Sequence, residues 1–148
     1  MSLEPLVLPD VNVWLATLTA AHPHHARAAQ WWRDEAVPAG CRVAFCRLTQ
    51  LGLLRLLTKK TVMGPQRRTT AQAWAEYETV LAQGLVTLAP EPDGVDEILA
   101  ALCTPSRSSM YFWSDAYLAA FAMAAGARLV TFDGGFKHFE DLETVVLE

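Results

Sequence analysis

Three times in this chain an apolar segment gives way to an aspartate. Asp10 follows Leu6-Val7-Leu8-Pro9, Asp115 stands in Trp113-Ser114-Asp115-Ala116, and Asp133 follows Leu129-Val130-Thr131-Phe132. A short Val/Leu-rich strand that stops at an Asp and passes into a helix delivers that carboxylate to the carboxyl edge of a parallel sheet, where α/β folds hold their ligands. Carboxylates gathered at such an edge repel one another unless a cation joins them. Hard divalent ions, Mg²⁺ or Mn²⁺, favour these oxygen ligands, so the pattern points to a metal site.

The elements between these residues alternate. Leu6 to Leu8 reads as a buried strand, Val11 to Thr19 as a helix, and His24 to Asp34 as a second helix after the break at His22-Pro23. Pro38-Ala39-Gly40 turns the chain into a strand from Arg42 to Phe45. Leu48, Leu51, Leu53, Leu54, Leu56 and Leu57 recur at helical spacing, with more leucine than one core-facing stripe requires. The surplus predicts burial on a second side, with Leu51, Leu54 and Leu57 contributing to a two-fold dimer. Thr69 or Thr70 caps a helix to Gln83, Leu85 to Leu88 returns to the sheet, and Val95 to Cys103 is helical. Thr104 to Ser109 reads as an irregular, mobile or substrate-facing loop. Ser114 opens a helix that stops at Gly126; strands from Arg128 to Phe132 and from Thr144 to Leu147 complete the chain. Strands alternating with helices through short loops predict a three-layer α/β sandwich on a mainly parallel sheet, in one domain spanning residues 1–148.

Composition limits the function classes. With 148 residues and 52% hydrophobic content the chain can bury a real core. No apolar run is long enough to span a bilayer and the N-terminus lacks a signal-peptide pattern, so a cytoplasmic protein is expected. Cys41, Cys46 and Cys103 make no Cys-x-x-Cys pair and read as reduced packing residues. The net charge of −4 hides an uneven distribution: between Ala36 and Ala75 there is no acid, and Arg42, Arg47, Arg55, Lys59, Lys60, Arg67 and Arg68 carry +7. A basic band beside an acidic metal centre suits phosphodiester binding, and a merely solvated face is the plainer alternative. His22, His24, His25 and His138 do not make a zinc pattern, and Trp31, Trp32, Trp74 and Trp113 read as core or interface residues before base-stacking ones. There is no phosphate-binding glycine loop and no G-x-S-x-G elbow.

Each acid also has a structural reading. Asp10 is a favoured helix N-cap, Asp115 suits the positive end of a helix, and Asp133 before Gly134-Gly135 suits a turn. Their shared placement at one sheet edge is what sets them apart.

Taken in order, Leu8-Pro9-Asp10-Val11-Asn12-Val13, His22-Pro23-x-His25, the run from Arg47 to Thr58, Trp113-Ser114-Asp115 and Leu129 to Phe136 resemble a PIN-domain nuclease, nearest to the VapC-type toxins of toxin–antitoxin pairs. The resemblance covers almost the whole chain. It implies a PIN fold, Mg²⁺- or Mn²⁺-dependent cleavage of RNA, a homodimer, and inhibition by a small antitoxin protein. By motif match Asp10, Asp115 and Asp133 take the metal-binding and catalytic positions, with Asn12 and Thr131 supporting them. Arg47, Arg55, Lys59 and Lys60 are candidate RNA-backbone contacts, and Arg55 is equally placed to pair with a carboxylate. Two residues depart from the family pattern: Gln50 stands where many members carry Glu, and Gly135 where a further acid is common. A PIN-like binding module without catalysis is therefore an alternative. A haloacid-dehalogenase-like phosphatase ranks lower, because Asn12 occupies the position of that family's second Asp.

Overall fold

The computed structural model describes residues 4–103 and 111–148. Thr104 to Ser109, the expected irregular loop, lies outside the described residues. Five strands, β1 (Leu6–Pro9), β2 (Arg42–Phe45), β3 (Val86–Leu88), β4 (Arg128–Thr131) and β5 (Thr144–Val146), form one sheet in the order β3-β2-β1-β4-β5. Every pairing is parallel. The chain builds outward from β1 to β3 on one side and then returns to add β4 and β5 on the other. The reversal falls between β1 and β4, which leaves a crevice at their carboxyl ends.

Successive strand residues point to opposite faces, and here both faces are apolar. Val7, Val43, Phe45 and Val130 bury on one face against α1 (Val11–Leu18), α2 (His25–Trp31), α3 (Arg47–Leu57) and α5 (Thr70–Leu81). Leu8, Ala44 and Leu129 bury on the other, with Phe112, Ala116, Ala119 and Phe121 of α7 (Phe112–Ala125) and the partly buried Leu99 of α6 (Val95–Leu102). The expected three-layer α/β/α sandwich is therefore present. Trp14 anchors the first core, stacked on Phe45 at 4.2 Å between ring centroids. Among the described residues no helix is long and apolar enough to cross a membrane.

Several expectations change at this level. The second helix runs His25–Trp31 and relaxes into a wider turn over Trp32–Ala36, and a one-turn helix, α4 (Lys60–Met63), follows α3. The last long helix starts at Phe112, two residues before Ser114, because the buried Phe112 ring anchors its first turn. The leucine surplus of α3 is taken up only in part within the chain. Leu53 and Leu57 are fully buried between α1, α5 and the sheet, Leu54 packs partly against the same core, and Leu51 alone of the proposed dimer residues is well exposed, at 56%. Cys103 is exposed where a packing role was expected, and Trp74 and Trp113 are exposed while Trp31 is buried.

Gly52 sets how closely α3 approaches α1. A Cβ at this position would lie 2.8 Å from Cγ2 of Val11, the residue next to Asp10. Val is stiff at χ1 and cannot swing aside cheaply. Gly52→Ala should gain about 1 kcal/mol of helix propensity and lose about 1–3 kcal/mol to overpacking, a net loss of up to about 2 kcal/mol. Urea denaturation measures this, and an increase in stability would show that the contact relaxes freely.

Candidate active site

Asp10 leaves the carboxyl end of β1 and caps α1. Its backbone N–H donates to the Val130 carbonyl at 2.8 Å, which extends the β1–β4 ladder by one residue and fixes the Cα beside β4. Its carboxylate is held on both oxygens. Oδ1 accepts from the Val11 N–H at 2.7 Å; Oδ2 accepts from the Thr131 hydroxyl at 2.9 Å and from the Asn12 amide at 3.3 Å. The capping role and the placement at the sheet edge are thus one arrangement.

Thr131, fully buried at the end of β4, links the group. While its hydroxyl donates to Asp10, its oxygen accepts from the Asp133 backbone N–H at 3.0 Å and from Asn12 Nδ2 at 3.3 Å. Asn12 Oδ1 in turn accepts from the Phe132 N–H at 3.3 Å, so α1 and the segment after β4 are tied together across the crevice. Asp133 is exposed, and its Oδ1 accepts from the Gly135 N–H at 2.8 Å, capping a 3₁₀ turn over Gly134–His138. A Cβ at Gly135 would stand 3.1 Å from that same oxygen, so a side chain there would crowd the carboxylate.

Asp115 reaches the site on a helix rather than at the end of a strand, in the first turn of α7. Burial raises its pKa to about 6, and the charges of Asp10 and then Asp133 add to the rise. Asp10 is shifted in the same direction, chiefly by burial, with its Thr131 and Val11 hydrogen bonds opposing and Asp133 adding. The three carboxylates therefore lie within one another's field. Among the described residues no three His, Cys, Asp or Glu groups close into a ready cation cage. The donor set still fits a hard divalent ion. It consists of oxygen ligands whose repulsion a dication would relieve, with Asp10 oriented by outer hydrogen bonds.

The remaining candidates divide. Gln50 is 2% exposed, and its Oε1 accepts from Arg47 Nη1 at 2.6 Å, so its amide is held by the arginine. Arg47 begins α3 at the carboxyl edge of the sheet. Arg55, Lys59 and Lys60 lie at or beyond the far end of that helix, about 12 Å or more along its axis by the rise per residue. Arg55 has no carboxylate partner among the described residues; it lines an exposed groove with Thr58, Thr70 and Trp74. The rest of the basic band is dispersed. Arg42 sits at the amino end of β2 within 4.0 Å of Glu4, and Arg68 pairs with Glu76 at 2.8 Å while also donating to the Leu18 carbonyl. The histidines have local roles: His25 Nδ1 lies 2.8 Å from the Ala16 carbonyl, and His24 stacks on Phe132 at 4.5 Å, a contact next to Asp133 that no sequence motif marks.

Thr131→Val keeps the shape of the buried side chain and removes the hydroxyl shared by Asp10, Asn12 and Asp133. Leaving a buried donor or acceptor unmatched costs about 1–3 kcal/mol, so the variant should lose that much stability to denaturant. A loss below about 0.5 kcal/mol would mean that water replaces the hydroxyl without strain.

The PIN domain family profile matches residues 7–142. The chain is 40% identical over 146 residues to the ribonuclease VapC41 of Mycobacterium tuberculosis, covering 96% of this chain and 99% of that protein. Among solved structures it superimposes on VapC20 of M. tuberculosis, described as a sarcin–ricin loop cleaving toxin, with a TM-score of 0.67 and 17% identity over 96% of this chain and 99% of the other. It also superimposes on the VapBC2 complex of Rickettsia felis bound to a promoter DNA fragment, with a TM-score of 0.63 and 11% identity over 97% and 99% of the two chains.

Proposed function

The chain belongs to the PIN domain family, and from that membership we infer that it is a metal-dependent endoribonuclease acting as the toxin of a toxin–antitoxin pair. The observation that carries the reading is the near full-length likeness to a VapC ribonuclease, together with three mutually coupled carboxylates at the β1/β4 crevice. Family membership displaces the phosphatase reading. The whole of residues 1–148 is taken as one catalytic unit working in the cytoplasm on RNA, in complex with a small antitoxin when silent.

Asp10, Asp115 and Asp133 would hold the Mg²⁺ or Mn²⁺. When bound, the ion supplies a Lewis acid for the phosphoryl group and a water acidic enough to attack it. The chain's own contribution is orientation. Thr131 and Asn12 fix Asp10, Gly135 fixes Asp133, and α7 carries Asp115 in from the opposite layer. Arg47, held against Gln50 at the same edge, is the basic residue best placed to meet the RNA backbone. Arg55, Lys59 and Lys60 would serve only a strand that continues along α3. A homodimer is part of the same proposal, with the exposed Leu51 as the apolar residue available to it.

Incubating the protein with structured RNA decides the matter. Internal cleavage that requires Mg²⁺ or Mn²⁺ and stops with EDTA is expected. RNA left intact with both ions would instead support a PIN-like binding module.

A further inference from the structure

A second cavity opens on the same sheet edge. It has a volume of about 300 Å³ and is lined by Arg47, Leu88, Pro90, Glu91, Tyr117 and Phe121. Arg47 follows the end of β2 and Leu88 ends β3, so the cavity faces the carboxyl side of the sheet as the aspartates do. Strands are spaced by about 4.8 Å, which puts β2 and β3 one and two steps, about 5 and 10 Å, from the strand that carries Asp10. Tyr117 is two residues beyond Asp115 on α7, about 3 Å further along the axis and on another face of the helix, so the cavity and the aspartates share the sheet edge rather than one helix face. A nucleotide flanking the reacting phosphate can reach this distance once its base is unstacked.

We propose that this cavity is a base-recognition subsite that selects guanine beside the scissile bond. The assignment rests on the ribonuclease reading for RNA as the ligand. Its walls, Tyr117 and Phe121 with Leu88 and Pro90, offer the flat apolar surface on which a base stacks. Its polar end is Glu91, whose Oε1 accepts a 2.7 Å hydrogen bond from the Tyr117 hydroxyl. That bond orients the carboxylate and leaves Oε2 without a partner among the described residues.

An ionised carboxylate only accepts hydrogen bonds. Guanine alone presents two adjacent donors, N1–H and the N2 amine, on its Watson–Crick edge. Adenine and cytosine each set an amine beside a ring nitrogen that is itself an acceptor, and uracil flanks its one N–H with two carbonyls. A carboxylate therefore accepts guanine on both oxygens and meets a lone pair in the others. Arg47 supplies the opposite charge. With Nη1 on Gln50, its other N–H groups remain for guanine O6 or the adjoining phosphate, and its charge offsets the repulsion between Glu91 and the RNA backbone.

The test measures equilibrium binding of uridine hexamers carrying one central guanosine, inosine or adenosine, in EDTA so that no cleavage intervenes. Inosine lacks only the N2 amine. Wild type should bind the guanosine RNA about tenfold tighter than the other two, the scale of one bidentate contact. Glu91→Gln should bring the three within about twofold. Tyr117→Phe, which frees Glu91 without altering the stacking surface, should reduce the guanosine-to-inosine ratio, a readout that loss of packing alone would not move. Equal affinities in wild type, no measurable binding of any RNA, or a preference unchanged in Glu91→Gln would overturn the subsite. Failure of the ribonuclease reading is distinct: the guanosine preference would persist while RNA stayed intact with Mg²⁺ and Mn²⁺.

Discussion

Asp10→Asn will lower Mg²⁺- or Mn²⁺-dependent RNA cleavage by roughly a hundred- to a thousandfold, the cost of removing one group that stabilises charge in a transition state. The expectation follows from how little else the substitution changes. An asparagine oxygen can still accept from the Val11 N–H and cap α1, so the helix start survives. What disappears is a negative charge at the crevice and the acceptor that Thr131 and Asn12 share. Thermal denaturation in EDTA should find the variant folded with little change in Tm, because relief of the burial and repulsion that raise the Asp10 pKa offsets the hydrogen bonds lost by Thr131 and Asn12. Cleavage within threefold of wild type by a folded Asp10→Asn protein would remove this residue from the mechanism.

The sheet was the most legible part of the sequence because its strands are buried on both faces. Val7-Leu8, Val43-Ala44-Phe45 and Leu129-Val130 each read as short continuous apolar runs, and every one pairs in the parallel sheet. The α3 leucines were harder. Period alone says how many faces a helix buries, but whether the second face meets another helix of the same chain or a partner depends on where α5 packs. Phe112 shows a related limit, since Ser114 has the better capping chemistry while burial of an aromatic ring started the helix earlier. The wider turn after Trp31 carries no local signal of the kind that Pro or Gly gives.

Asp10 was legible as a site residue because it follows a buried strand at the topological switch, whereas Thr131 entered only through the resemblance of the run from Leu129 to Phe136 to the PIN pattern; the hydrogen bond that joins the two could not be read from either. Asp115 was assigned to the same edge on the strength of an apolar stretch before it, whereas the helix brings it there from the other layer. Charge counting along the chain overstated the basic band. Proximity in sequence groups Arg42 with Arg47, yet β2 separates them by its length and sends them to opposite edges of the sheet. Glu91 and Tyr117 illustrate what spacing cannot show: 26 positions apart, they meet because the end of β3 lies beside the first half of α7.

The metal-free protein should lose stability as pH rises from about 4 to about 7, and Asp115→Asn should abolish part of that loss. The folded-state pKa of Asp115 stands near 6, above its ordinary 3.8. Between these values the folded protein holds a proton that the unfolded chain has released, so raising the pH favours unfolding. The penalty is absent below about pH 4 and complete above about pH 6. Asp10, shifted in the same direction, adds to it. Asp115 keeps substantial contact with solvent, which screens the effect, so the readout is the difference in Tm between wild type and Asp115→Asn. That difference should favour the variant and grow from pH 4 to pH 7, with a Tm shift of about 2–4 °C for each kcal/mol in a chain of this size. Mn²⁺ should reverse the order: it stabilises wild type by about 2.7 kcal/mol at a hundred times its Kd, and less in the variant that lacks a ligand. The same ion should help wild type more at pH 7 than at pH 5, since protons compete for the carboxylates it needs. A Tm difference in EDTA that stays flat with pH would mean that Asp115 titrates as an ordinary surface acid. An equal Mn²⁺ increment in both proteins would place the ion away from it.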